Sequence, residues 1–167
     1  PGDTCGEAVL APGGLDPCAG DLVGGPLGGC TSFGSLYDVW VSFVAPATSA
    51  RVRTDLSSLG TDSDYIVWDA CGGNQIGCSE DDGTAPGSGC CLGNICVGGL
   101  TVGNTYYVQL GAWAAGQDLS AYGLPNPYLY SCGVYNIDIE VAGTCGDSIV
   151  DCGEQCDPPG PCCSATC

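Results

Sequence analysis

Fifteen of the 167 residues are cysteine, a density that reducing compartments do not maintain as structural pairs and that small secreted domains use to offset a limited core. The chain is therefore read as extracellular or cell-surface, folding in an oxidising environment. Its 29 glycines and 11 prolines agree, because glycine loses the most backbone freedom on folding and crosslinks compensate for that loss. The cysteines divide unevenly. Nine lie between Cys5 and Cys132, and six crowd between Cys145 and Cys167, where Ile149 and Val150 are almost the only large apolar residues. Residues 1–142 thus read as a globular domain and residues 143–167 as a small, disulfide-rich, largely irregular tail. Zinc is the competing account of such a cluster, but no Cys-x-x-Cys knuckle occurs. The odd total leaves at least one sulfur for a buried thiol or a bond to another chain. The short, glycine-bearing stretch from Cys71 to Cys78 predicts a disulfide between those two residues. The adjacent pairs Cys90 with Cys91 and Cys162 with Cys163 are expected to bridge outward, since a ring closed between neighbours is strained.

Charge narrows the partners. Two basic residues, Arg51 and Arg53, face 19 acids, for a net charge of -17. Nucleic acid is excluded, because a polyanion is bound by Lys/Arg clusters that release its counterions, and anionic membrane surfaces are excluded likewise. No stretch is long and apolar enough to insert into a membrane, and no basic segment followed by an apolar one opens the sequence from Pro1, so the chain reads as soluble and without a leader or anchor. Histidine and lysine are both absent, which removes Ser-His-Asp and Cys-His nucleophile pairs, His-ligated zinc, Schiff-base lysines and P-loop lysines. A two-carboxylate glycosidase remains formally open, since that chemistry needs only a pair of acids, but a small sandwich without an evident cleft is not expected to be an enzyme.

The body reads as antiparallel β. From Tyr135 to Val141 apolar Tyr135, Ile137, Ile139 and Val141 alternate with Asn136, Asp138 and Glu140, the period of a half-buried strand. Comparable runs cover 39–44, 50–56, 65–68 and 106–110. Turn-rich connections and the lack of a 3.6-residue apolar period predict an all-β, jelly-roll-like antiparallel sandwich with almost no helix. Residues 71–99 and 111–133 are expected to be long surface loops, where function usually resides.

Four segments carry a resemblance: D-T-C-G-E-A-V-L (Asp3 to Leu10), Y-D-V-W-V-S-F-V-A-P (Tyr37 to Pro46), T-D-S-D-Y-I-V-W-D-A-C-G-G-N-Q-I-G-C-S-E-D-D-G (Thr61 to Gly83) and G-L-T-V-G-N-T-Y-Y-V-Q-L-G (Gly99 to Gly111). In this order they resemble the bacterial pre-peptidase C-terminal domain. That resemblance implies a non-catalytic, jelly-roll-like sandwich found beside secreted peptidases and in cell-surface proteins. The extra cysteines at Cys90, Cys91 and Cys96 and the insertion 112–131 depart from it. The tail, C-G-D-S-I-V-D-C-G-E-Q-C-D (Cys145 to Asp157) closed by C-C-S-A-T-C (Cys162 to Cys167), resembles a cysteine-rich repeat of bacterial surface proteins and the start of a disintegrin domain. The disintegrin resemblance implies a calcium site. Carried over, its ligands are the side chains of Asp147, Asp151, Glu154 and Asp157 and the carbonyls of Thr144 and Ile149, an all-oxygen set of the kind calcium takes.

A second possible metal site joins Asp62, Asp64 and Asp69 to Glu80, Asp81 and Asp82, although Asp at strand ends more often closes Asx turns onto nearby amides. Aromatic residues suggest a contact surface for a surface glycan or a protein. Strand residues such as Tyr106 belong rather to the core, and Tyr107 shares that strand, whereas Trp113, Tyr122, Tyr128 and Tyr130, set among Gly and Pro in the insertion, are the better interface candidates. Two non-enzymatic functions follow. The chain is expected to be a structural or adhesive extracellular protein, stabilised by disulfides and calcium, that associates with copies of itself in a surface fibre, filament or layer. The alternative is an accessory binding or targeting module of a secreted peptidase or other hydrolase. For self-association, the segment around Ala8 to Ala11 is short and flanked by Gly and Pro, so it can pair with a neighbour's sheet edge as readily as with its own.

If the tail binds calcium, chelation loosens it first, because its apolar content is too small to replace the metal's bonds. Limited proteolysis and melting with and without chelator, against magnesium and matched sodium controls, are expected to show earlier cleavage within 143–167. Identical behaviour in all four conditions would remove the site.

Overall fold

The computed structural model describes residue 2 and residues 4–19, 36–54, 62–79, 93–130 and 132–141. Among the described residues nine strands form two sheets: β1 (Val9–Leu10), β2 (Gly13–Leu15), β3 (Asp38–Val44), β4 (Ser49–Thr54), β5 (Ser63–Trp68), β6 (Gln75–Ser79), β7 (Asn94–Gly98), β8 (Thr105–Ala112) and β9 (Tyr135–Val141). Helix among the described residues is confined to three short 3₁₀ turns, Cys5–Glu7, Pro17–Ala19 and Ser120–Tyr122. One sheet runs β1-β3-β8-β5-β6 and the other β2-β9-β4-β7. The antiparallel pairs are nested: β2 pairs β9, β3 pairs β8, β4 pairs β7 and β5 pairs β6. The pairs β4 with β9 and β5 with β8 then roll this long folded ribbon into two faces. That is a jelly roll, with β1 added in parallel to the edge of β3.

Alternation decides which side of each strand is buried. Val39, Val41 and Phe43 of β3 point into the core with Tyr106, Val108 and Leu110 of β8, and Val52 and Ile137 meet them from the other sheet. Arg51 and Arg53 point outward from β4 and pair across the strand with β9: Arg53 Nη2 lies 2.6 Å from Glu140 and 3.4 Å from Asp138, and Arg51 lies 3.9 Å from Glu140. Both cations of the chain are engaged in this one ladder. Exposed pairs of this kind each contribute about 0–1 kcal/mol, so the ladder fixes register more than stability.

Buried tyrosines join the sheets. The Tyr65 hydroxyl, carried on β5, donates to the Val52 carbonyl of β4 in the opposite sheet at 2.5 Å. The Tyr135 hydroxyl, carried on β9, donates to the Asp62 carbonyl at 2.7 Å and accepts from the Asp62 amide at 3.0 Å, just before β5 begins. Each phenol spans the core and satisfies its polar end on the far side, which removes the penalty of burying a hydroxyl. Gly93 makes room for one of them, since a Cβ there would overlap the Tyr65 ring.

Two sequence expectations are corrected. Residues 71–99 are not one long loop, because β6 and β7 lie within them. Cys71 does not bridge Cys78; it pairs with Cys5, at a Cα separation of 5.6 Å. The physical reason is β6 itself, an extended strand in which Gln75 pairs Trp68 and Cys78 pairs Ile66, so that each residue carries the chain about 3.3 Å further from the turn that holds Cys71. A second disulfide joins Cys18 to Cys132, and Cys78 and Cys96 are disulfide-bonded as well. The vicinal pairs and all of 143–167 lie outside the described residues. The segment thought available for a neighbouring sheet pairs within its own chain, Val9 with Val41 and Leu10 with Ser42.

Replacing Tyr65 with Phe leaves the ring packing intact and removes the hydroxyl's bond to the Val52 carbonyl. Equilibrium denaturation with disulfides intact is expected to show a loss of about 1–3 kcal/mol with unchanged cooperativity. An unaltered midpoint would show that the hydroxyl does not hold the sheets.

Candidate contact surface

The nested pairing sorts the connections by end. Strands alternate in direction, so every second connection emerges on the same side. The short turns 45–48, 69–74 and 99–104 share one end, where the Ala45 amide bonds Asn104 and the Leu100 amide bonds Thr48. The opposite end holds the described residues that flank the long connections, 16–19, 36–37, 62 and 93, together with 113–130 and 132–134. Hydrogen bonds fix that end as one region: Thr54 to Gly93, Leu36 to Ala115 and Trp113 to Asp62, with the Cys18–Cys132 disulfide tying the first connection to the last.

Of these connections 113–134 is the one described almost throughout, and it is built from within. Ala114, Ala115 and Leu119 are buried and hold it down. The Gly116 amide donates to the Tyr128 carbonyl at 2.8 Å and the Tyr128 amide returns to Gln117 at 3.0 Å, which closes the loop across its own base. Gly116 is required there twice over, by its φ of +83° and because a Cβ would lie 2.6 Å from the Tyr37 ring. The Asp118 carboxylate accepts from the Ser120 amide at 3.0 Å, and the Ser120 side chain and backbone together hold its pKa below the usual carboxylate value. Asp118 is therefore ionised at neutral pH.

Trp113 begins this segment with its amide on the Asp62 carbonyl, the same carbonyl that receives the Tyr135 hydroxyl. A continuous bonded path therefore runs from the core phenol through the Asp62 backbone to Trp113. The Trp113 ring meets Tyr128 edge-on at 5.4 Å, and Tyr128 meets Tyr130 at 5.8 Å and 38°. Trp113 and Tyr128 are half-buried, whereas Tyr122 and Tyr130 are 70% and 73% exposed. Of the interface candidates read from sequence, the structure brings three into one ring cluster and sets Tyr122 on the same loop. Sequence reasoning missed Leu124, Leu129 and Val134, which are exposed in the same connection; three aliphatic residues in a Gly- and Pro-rich insertion carry no periodic signal that would mark them.

The strand aromatics behave differently. Tyr106 is buried and stacks on Phe43 at 5.8 Å, while half-buried Tyr107 lies on the opposite side of β8. Of the proposed second metal group Asp62, Asp64 and Asp69 are described. Asp64 is fully buried and Asp62 is half-buried. Asp69 accepts from the Asn74 amide at 2.6 Å and from its side chain at 2.8 Å, the Asx-type closure that competes with metal binding, and these bonds hold its pKa low. Glu80, Asp81 and Asp82 lie outside the described residues, as do Thr144, Asp147, Ile149, Asp151, Glu154 and Asp157. Among the described residues no three acidic or cysteine side chains converge as metal ligands. A recess of about 340 Å³ opens towards the short-turn end, lined by Leu10, Phe43, Val44 and Ile139, with Asp138 on its wall.

Comparison with family models, with curated proteins and with solved structures gives no match.

Proposed function

We propose that this chain is a non-catalytic extracellular protein of structural or adhesive role, a disulfide-stapled jelly roll that makes its contacts through the aromatic loop 113–134. The observation that carries the reading is the pairing of exposed apolar and aromatic side chains with a bonded, crosslinked base, Cys18–Cys132 below and the Trp113–Asp62–Tyr135 path behind. Singly exposed hydrophobic residues are ordinary, but a grouped set on a rigid loop is the usual mark of a contact site. Contact energy also concentrates in aromatic residues held rigidly, because little side-chain freedom is lost on binding. Disulfides that close stretches of 66 and 114 residues suit a protein that must stay folded outside the cell. The calcium expected of the tail fits the same role and rests on its sequence pattern.

One observation favours the second reading, an accessory module of a secreted peptidase or other hydrolase. β1 pairs within its own chain and covers the edge of β3 without a neighbour's strand, as in a module that stands alone beside another domain. That reading agrees with the resemblance to pre-peptidase C-terminal domains and uses the same loop to bind a target.

Retention of the full chain on insoluble surface polymers, both polysaccharide and protein, tests the shared claim. Changing Tyr122 and Tyr130 together to Ala is expected to lower retention at least about tenfold while the fold persists by circular dichroism. Retention unaffected by the double substitution would place the contact elsewhere.

A further inference from the structure

We infer that the outer edge of β9 from Asp138 to Val141 binds an extended, basic peptide strand of another protein, with an aliphatic side chain of that strand entering the recess beside Ile139. The inference does not depend on the loop 113–134. β2 covers only the first part of β9, pairing Gly13 with Ile137 and going no further. The chain cannot extend that cover itself. Pro12, next in register, has no amide to donate, and the Ala11 amide is already bonded to the Ser42 carbonyl of the other sheet at 2.8 Å. Successive residues of an antiparallel strand turn their N–H and C=O groups to opposite sides, so within 138–141 every second residue directs these groups away from β4. Among the described residues no strand meets that outer side past Ile137. The recess lies where the cover stops. Its volume of about 340 Å³ is bounded by the Ala11–Pro12 crossing between the sheets, by Phe43, Val44 and Pro46 on one side and by Ile139 on the other. Leu10 and Val44, which also line it, are 62% and 51% exposed, and Ile139 packs on the core yet stays half-buried, so the sandwich is open here. An uncovered backbone edge beside an apolar hollow is what strand addition uses: the main chain gives affinity and the hollow selects alternate side chains.

Charge selects the guest. A strand laid beside 138–141 sets every second side chain on the Ile139 side, over the recess, and those between them beside Asp138 and Glu140. These two acids meet Arg53 and Arg51 across β4, and with a net charge of -17 on the whole chain a base on their other side is favoured over an acid. The guest therefore alternates basic and aliphatic residues. A second copy of this chain cannot supply it, because its only bases, Arg51 and Arg53, stand in β4, which is already paired on both sides by β7 and β9.

Calorimetric titration of the native full chain with the end-blocked peptide K-V-K-V-K-V-K, at about 150 mM sodium chloride to screen general attraction, tests this against two control peptides. One is K-G-K-G-K-G-K, of equal charge without the aliphatic side chains, and the other is E-V-E-V-E-V-E, of opposite charge. The K-V peptide is expected to bind at least about tenfold more tightly than either. Leu10→Ser combined with Val44→Ser is expected to weaken it at least about tenfold with the melting temperature unchanged, since both side chains are largely exposed. Amide hydrogen exchange is expected to slow on binding at alternate positions within 138–141, the signature of a strand at that edge. Equal binding of the K-V and K-G peptides, binding untouched by the double substitution, or exchange within 138–141 unchanged by the bound peptide overturns the inference.

Discussion

The hydroxyl of Tyr135 is the point on which the architecture turns. A sandwich needs large side chains to fill the space between its sheets, and this chain has two Phe and no Met to offer. Tyrosine takes their place, and a buried phenol left without a partner costs about 1–3 kcal/mol. Tyr135 avoids that cost by bonding both the amide and the carbonyl of Asp62, and Tyr65 does so in the reverse direction at Val52. The polar ends that make tyrosine an awkward core residue thereby become bonds between the sheets.

From this constraint the rest follows in steps. Asp62 is held at the mouth of β5, and its carbonyl in turn holds the Trp113 amide, so the loop leaving β8 starts from a fixed position. The nested strand order brings the described residues flanking the long connections to that same end, and the Cys18–Cys132 disulfide ties 16–19 to the segment before β9. A loop so fastened can present Tyr122 and Tyr130 to solvent without collapsing onto the sandwich. Elsewhere the two arginines are engaged in the β4–β9 ladder, and within 113–134 Asp118 is the single charged residue.

The sequence made the strongly alternating strands legible. The run from Tyr135 to Val141 corresponds to β9 residue for residue, and β3, β4, β5 and β8 differ from their expected bounds by a few residues. β2, β6 and β7 were not legible because glycine and cysteine interrupt their patterns. Gly77 stands in β6 where a Cβ would lie 2.8 Å from Val97 of the opposite sheet, so the residue that erases the strand signal is the one the packing demands. Disulfide partners were hidden for a different reason. Cys5 meets Cys71 and Cys18 meets Cys132 across long sequence separations fixed by topology, which a local loop argument cannot reach. The aromatic residues of the insertion could be picked out because rings among Gly and Pro have no strand to belong to. Their aliphatic neighbours, and the anchoring of Trp113 on a core tyrosine, emerge only once the chain is folded.

Amide hydrogen exchange at Asp62 and Trp113 tests the link between core and loop most directly, because each of these amides donates to one member of the path. In the native chain both are expected to be protected. In Tyr135→Phe both should exchange at least about tenfold faster, while amides at the centre of β3 and β8 keep their native rates. Exchange at Asp62 as fast as in an unstructured peptide in the native chain, or protection at both positions unaffected by the substitution, would contradict the account.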